Sequence, residues 1–355
     1  MGVSFCGNTT AGAKLLIDRI KNYTDLFVLQ SGPISVNETA TNEICDYAVD
    51  AGLGIIVFFG DLTPRWLREK DLLWRLSWLN TSKQRWGDQI LGIYYYDEPG
   101  GIQVDYIWTE QDIHWNGTYA DLTYDAIANR YNLGFRVFDQ GFRTDKESSI
   151  DLFVSDYALY WFDYLAGYDV VLAQAGWNHS LVQNIALVRG AARMQSKRWG
   201  TIITWKYNNP PYLDNGEAIY GQMCTAYESG AEYVVFFNYP ALESNYYGVM
   251  MDEHFCALEH FWNDVVKNPE VVHGKIEAEA ALVLPRNYGW GMRRPDDRIW
   301  GWWGPDEKSP QIWAISRQLL SQYGLRLDIV LEDPAFPIEG VYPQIYYWNQ
   351  ATNFD

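Results

Sequence analysis

Several kinds of chemistry are closed to this chain by what it lacks. Histidine is scarce, at five residues in 355, and neither His-Glu-x-x-His nor His-x-His occurs, so the ligand spacing of a hydrolytic metal site is missing. No Gly-x-Ser-x-Gly elbow is present, which removes the usual setting of a serine nucleophile. The four cysteines, Cys6, Cys45, Cys224 and Cys256, include no Cys-x-x-Cys pair and are too widely spaced for zinc. Clustered Lys and Arg are also missing, and a formal net charge of -18 argues against a nucleic-acid partner. No apolar run approaches the ~20 residues of a membrane span. No signal peptide precedes Gly2, so an exported protein would carry its targeting segment outside this sequence. Neither a short internal repeat nor a low-complexity tract is found, and nothing in the chain calls for a cofactor.

Aromatic residues are abundant, with 17 Trp, 26 Tyr and 15 Phe. Rings fill interiors, and they also line sugar-binding clefts, where a pyranose face stacks on them; composition leaves the two uses balanced. Six Asn-x-Ser/Thr sequons, at Asn8, Asn22, Asn37, Asn80, Asn116 and Asn178, point to an extracellular or cell-surface glycoprotein. The even cysteine count permits two disulfides. Cys224 and Cys256 fall in the helices flanking the eighth strand and form the expected pair.

Apolar runs alternate with helical spacing along the chain. Strands are expected at Val3–Cys6, Leu26–Gln30, Gly54–Phe59, Leu91–Tyr96, Ile150–Ser155, Asp169–Gln174, Thr201–Tyr207 and Tyr233–Phe237. Between them lie helical stretches such as 66–79 and 181–199. Strands that read as continuous apolar runs belong to a parallel sheet covered on both faces. Eight units in about 240 residues fit a (β/α)8 barrel, expected over residues 1–268, with chemistry at the carboxyl ends of its strands. A doubly wound open sheet would want a Gly-rich phosphate turn after the first strand, and Gly7-Asn8-Thr9-Thr10-Ala11-Gly12 imitates one poorly. Residues 269–355 are expected to form a small α/β accessory domain. Its Trp- and Gly-rich stretch, 287–304, is placed to lend aromatics to the cleft.

The stretch Tyr94-Tyr95-Tyr96-Asp97-Glu98-Pro99-Gly100-Gly101 ends the fourth strand on two adjacent acids and a breaker. Neighbouring carboxyls repel, so one of them is expected to hold its proton toward neutral pH, as a general acid must. The other strand ends offer Asp61, then Asp156 and Tyr157, then Gln174 and Trp177, then Trp205, Lys206 and Tyr207, and last Asn238 and Tyr239. Acids, amides and aromatics are the inventory of glycosidic bond cleavage.

At Tyr94–Pro99 the chain resembles TIM-barrel glycoside hydrolases, and in that motif the chitinase-like and hexosaminidase-like enzymes. The resemblance implies that Glu98 is the proton donor and that Asp97 orients a substrate acetamido group. It departs from the chitinase pattern in that tyrosines stand where spaced acids would precede the Glu. Glu98, Asp97 and Asp156 are thus the candidate catalytic residues. Asp61, Tyr96, Trp177, Trp205, Lys206, Tyr207, Asn238 and Tyr239 are the candidate sugar contacts. Several have a plainer reading as well. Asp61 and Asp156 could cap the helices that follow them, Lys206 could pair with an acid, and Trp177 and Trp205 could be core; His114 reads as a loop residue. Carbohydrate is the expected partner; the two functional readings are a secreted glycosidase and a non-catalytic carbohydrate-binding or cell-surface structural protein on the same barrel.

Overall fold

The computed structural model describes residues 1–109, 122–142, 150–240 and 245–350. His114 and Trp115 lie outside them. Eight parallel strands close into a barrel in sequential order: β1 (Gly2–Phe5), β2 (Leu26–Leu29), β3 (Gly54–Phe58), β4 (Ile90–Tyr94), β5 (Asp151–Asp156), β6 (Val170–Ala175), β7 (Arg198–Ile203) and β8 (Tyr233–Phe236). β1 closes the ring by pairing with β8, Gly2 opposite Val235 and Val3 opposite Phe236.

Two apolar layers explain why the strands read as unbroken runs. Leu26, Val28, Ile56, Tyr94, Phe153, Val170, Leu172, Ile202, Tyr233 and Val235 fill the barrel interior. The alternate residues, among them Val3, Phe27, Ile55, Ile93, Val154, Val171 and Val234, pack outward against the helices. Successive strand side chains point to opposite faces, so a strand with both faces buried loses its alternation in sequence but keeps it in space.

Local chemistry sets the element ends. Thr9, Ser31, Asn37, Ser180 and Asn215 cap their helices through side-chain oxygens that accept from amides three residues on. The helix expected over 66–79 is two, Pro64–Glu69 and Trp74–Trp86, and Asp71, with a φ of 56°, stands between them. β4 stops at Tyr94, two residues earlier than expected. β7 runs from Arg198 to Ile203, so Trp205–Tyr207 lie in the loop beyond it rather than in the sheet.

Past the barrel, β9 (Ala280–Leu284), β10 (Leu327–Leu331) and β11 (Gln344–Tyr347) make a three-stranded parallel sheet in the order β10-β9-β11. A buried ion pair ties it to the barrel helix Leu181–Met194. Arg189 Nε donates to Asp328 Oδ1 at 2.8 Å while Tyr342 Oη donates to Asp328 Oδ2 at 2.9 Å. The expected Cys224–Cys256 bridge is not formed, and all four cysteines are free thiols. Cys224 is hydrogen-bonded to Tyr220, and Cys256 is exposed on the helix Asp252–Phe261. Adjacent helices alone do not meet the distance and direction that a disulfide demands.

Candidate active site at the carboxyl ends of the strands

The acidic pair sits on a sharply folded turn. After Tyr94 the chain leaves the sheet, yet Tyr95 N donates to Phe153 O at 2.9 Å and Glu98 N to Ser155 O at 3.0 Å, so the turn stays stitched to β5. Tyr96 and Glu98 have φ values of 59° and 54°, a region that residues other than Gly seldom occupy and that marks stored strain at functional turns. Pro99 then opens the short helix Pro99–Asp105. Pro-Gly-Gly therefore starts a helix where the sequence suggests only a stop.

The two glycines have a specific task. A Cβ on Gly101 would overlap the Tyr157 ring, and one on Gly100 would meet Ala158 O and Asp156 Oδ2. The bare backbone lets the helix start lie against the end of β5, where Asp156 Oδ2 accepts from Gly100 N at 2.5 Å and Oδ1 from Gly101 N at 2.8 Å. Tyr157 N and Ala158 N also donate to Oδ1. Asp156 is fully buried and follows Val154 on the outward parity of β5, whereas Ser155 follows Phe153 on the inward one. It thus clamps the turn that carries Glu98 from behind. Nearby Asp163 is likewise fully buried, with Oδ1 accepting from Tyr131 Oη at 2.6 Å. Burial raises both carboxyls above the usual range, and mutual repulsion adds to it at Asp163.

Inside the mouth, hydroxyls and one amide organise the acids. Asp97 Oδ1 accepts from Tyr94 Oη at 2.6 Å and from Ser155 Oγ at 3.0 Å. Gln174 Nε2, on β6, reaches Glu98 Oε1 at 2.5 Å and Ser155 Oγ at 3.4 Å. Burial raises the Glu98 carboxyl, the charge of Asp97 raises it further, and the Gln174 bond opposes both. Asp97 is raised by burial against the pull of its two hydroxyl donors. Two neighbouring carboxyls held in this way favour a proton over a second negative charge.

The predicted contacts divide. Tyr96 is 37% exposed and hydrogen-bonded to Asp61, whose Oδ1 also accepts from Thr63 N at 2.7 Å. Asp61 therefore shapes the turn before the helix Pro64–Glu69 as well as facing Tyr96. Trp177, with a φ of 51°, stands half-exposed 6.2 Å from the Trp205 ring. Trp205 also meets Tyr212 at 5.0 Å and Tyr239 at 5.3 Å, making an aromatic wall. Lys206 Nζ is paired with Asp214 Oδ1 at 2.7 Å, and Tyr207 lies alongside. Asn238 is buried and accepts from Val249 N, so it braces a loop.

A cavity of about 640 Å³ opens between these parts, lined by Cys6, Gln30, Phe58, Asp97, Phe237 and Tyr239 among others. On the far side of the turn a smaller apolar groove of about 260 Å³ runs along Tyr96, Pro99, Ile102, Trp108 and Trp302. Here the Trp- and Gly-rich segment does approach the site. Gln103 Nε2 donates to Trp300 O at 2.8 Å, and Arg293 pairs with Asp105 at 2.7 Å. Tyr94 and Ser155, which hold Asp97, were not among the predicted site residues. The signal for both was inward parity with Phe153 along the strands.

Among the described residues no cluster of His, Cys, Asp and Glu is arranged to hold a metal ion, and no helix is long and apolar enough to cross a membrane. No family model matches the chain, and no curated protein matches it. Solved structures do. The chain is similar to a GH5_18 protein from Streptomyces cattleya in complex with GlcNAc, at a TM-score of 0.55 and 12% identity over 96% of this chain and 93% of that one. It is similar to a substituted form of that protein in complex with Manb1-4GlcNAc, at 0.55 and 13% over 96% and 94%. A GH5_18 protein from Bifidobacterium longum subsp. longum aligns at 0.54 and 10% over 99% and 97%. Identities this low speak for the fold alone, which is followed over almost the whole of each chain.

Proposed function

We propose that this protein is a glycoside hydrolase of the cell surface or exterior that acts on a glycan or polysaccharide, with Glu98 as general acid and Asp97 as the acid that orients and stabilises. The observation that carries this reading is the Glu98 carboxyl at the end of β4. It is partly buried, bonded by Gln174 at 2.5 Å, and next to a second carboxyl that is already committed to two hydroxyl donors. Glu98 is raised, so it keeps a proton to give to a leaving oxygen; Asp97 faces the larger cavity, where a sugar bound against Phe58, Phe237 and Tyr239 would meet it. Two of the similar structures hold GlcNAc or Manb1-4GlcNAc, which supports a sugar ligand and suits an acetamido group whose N–H would donate to Asp97.

One observation favours the second reading, a barrel that binds glycan without cleaving it. Among the described residues, the chain beyond β7 and β8, at Thr204–Tyr207 and Phe237–Pro240, has no carboxylate to face Glu98 across the mouth, and Asp214 is paired with Lys206. If the barrel does hydrolyse, the substrate's own acetamido oxygen would stand in for that carboxylate. A glycan panel screened with wild type and Glu98→Gln separates the readings. Cleavage by wild type alone supports the hydrolase, binding by both with cleavage by neither supports the binder, and equal cleavage by both removes Glu98 from the chemistry.

A further inference from the structure

Gln174 occupies a place that packing alone does not explain. It is 3% exposed and inward-facing above Leu172, with its backbone carbonyl held by Asn184 Nδ2 at 2.9 Å. Its Nε2 spans two targets, Glu98 Oε1 at 2.5 Å and Ser155 Oγ at 3.4 Å, and Ser155 Oγ in turn donates to Asp97 Oδ1. One amide thus links the two carboxyls across β4, β5 and β6. Its Oε1 is buried with no hydrogen-bond partner. An unsatisfied buried acceptor is costly, and an apolar side chain of the same shape would avoid that cost, so stability by itself does not account for an amide here.

We infer that Gln174 is the positioning residue of the acid: its amide fixes the Glu98 carboxyl at the mouth and takes up the negative charge left there once the proton has passed to the substrate. The inference rests on the reading of Glu98 as general acid. The groups that face Glu98 are Asp97 and Tyr94 from β4 and its turn, Tyr157 beyond β5, Gln174 on β6, and Asp105 on the helix Pro99–Asp105, itself paired with Arg293. All of them are neutral or acidic, and among the described contacts only Gln174 donates to the Glu98 carboxyl, so deleting the amide leaves burial and repulsion unopposed. Glu98 would then hold its proton to higher pH and give it up less readily in the reaction.

The test is a titration that needs no substrate. Infrared difference spectra between each protein and its Glu98→Gln counterpart isolate the Glu98 carboxyl, in wild type and in Gln174→Met. The expected result is a rise of about one pH unit in the Glu98 midpoint when the amide is removed, the size of losing one charge-assisted hydrogen bond. Gln174→Asn keeps an amide but withdraws it by one methylene, and it carries the same test, in the same direction, should Gln174→Met fail to melt cooperatively. An unchanged midpoint in a folded variant overturns the inference and leaves Gln174 a packing residue, whose loss lowers the melting temperature only. The hydrolase reading fails by a different result, turnover of glycan by Glu98→Gln at the wild-type rate, and that result would leave the titration standing.

Discussion

The two halves of the barrel mouth are built from different materials. Beyond β4, β5 and β6 the site is a bonded network of Tyr94, Asp97, Glu98, Ser155 and Gln174, braced from behind by Asp156. Beyond β7 and β8 it is an aromatic wall of Trp205, Tyr212 and Tyr239, next to an ion pair whose charges cancel. A proton donor needs a carboxyl whose surroundings are fixed, because its acidity follows from burial, neighbouring charge and hydrogen bonds together. A sugar face needs only flat apolar area with polar edges nearby. Under the proposed function the difference would give chemistry to one half and grip to the other, and it can be broken or sharpened by substitution.

The largest effect is expected from Glu98→Gln, which keeps shape and removes the proton. Turnover should fall roughly 10²- to 10⁴-fold while glycan binding persists, as read by kcat and by titration calorimetry on the same glycan. In the wild type the pH–rate profile should follow the same carboxyl. Since burial and Asp97 raise Glu98, the protonated form survives above the ordinary carboxylate range, and activity should decline only as pH rises through that raised value. A decline already within the ordinary range would show that Glu98 is not the group being titrated.

Gly101→Ala comes next. Its methyl would overlap Tyr157, and overpacking of this kind costs about 1–3 kcal/mol. Denaturant melts should show that loss, and kcat should fall with it because the helix start and the Glu98 turn move together; unaltered kcat and stability would mean the close approach is unimportant. In the aromatic half, Trp205→Ala should weaken glycan binding by about 1 kcal/mol or somewhat more, seen in KM or Kd with kcat nearly unchanged. A kcat defect as deep as that of Glu98→Gln would erase the division between halves.

A separate effect is expected from pH on folding. The folded state keeps protons on the buried Asp156 and Asp163 pair that the unfolded chain releases at ordinary carboxylate pH. Unfolding therefore releases protons, and stability should fall as pH rises from the ordinary range through the raised values. Melting temperatures that climb over that interval would reverse the assignment.

Much of this was readable in the chain. The eight apolar runs, the Asp97-Glu98 pair at the fourth strand's end and the acidic surface are all local patterns. The Cys224–Cys256 pairing was read from neighbouring helices and is not formed, because lying on adjacent helices does not by itself supply the distance and direction a disulfide demands. Asp156 looked like Glu98 in sequence, an acid ending a strand, but parity along β5 sends it outward beneath the turn. Trp205 and Lys206 were read as strand residues and belong to the loop after β7, which is what frees them to form a wall and an ion pair.

The sequence by itself determined the strand–helix alternation and the position of the acid pair, because burial on both faces of a parallel strand and a breaker after it leave their marks in consecutive residues. Only the tertiary structure decided which acids face the mouth and which amides and hydroxyls hold them. Those partners come from β4, β5 and β6, with Glu98 and Gln174 76 residues apart, and closure of the barrel is what brings them within hydrogen-bonding distance.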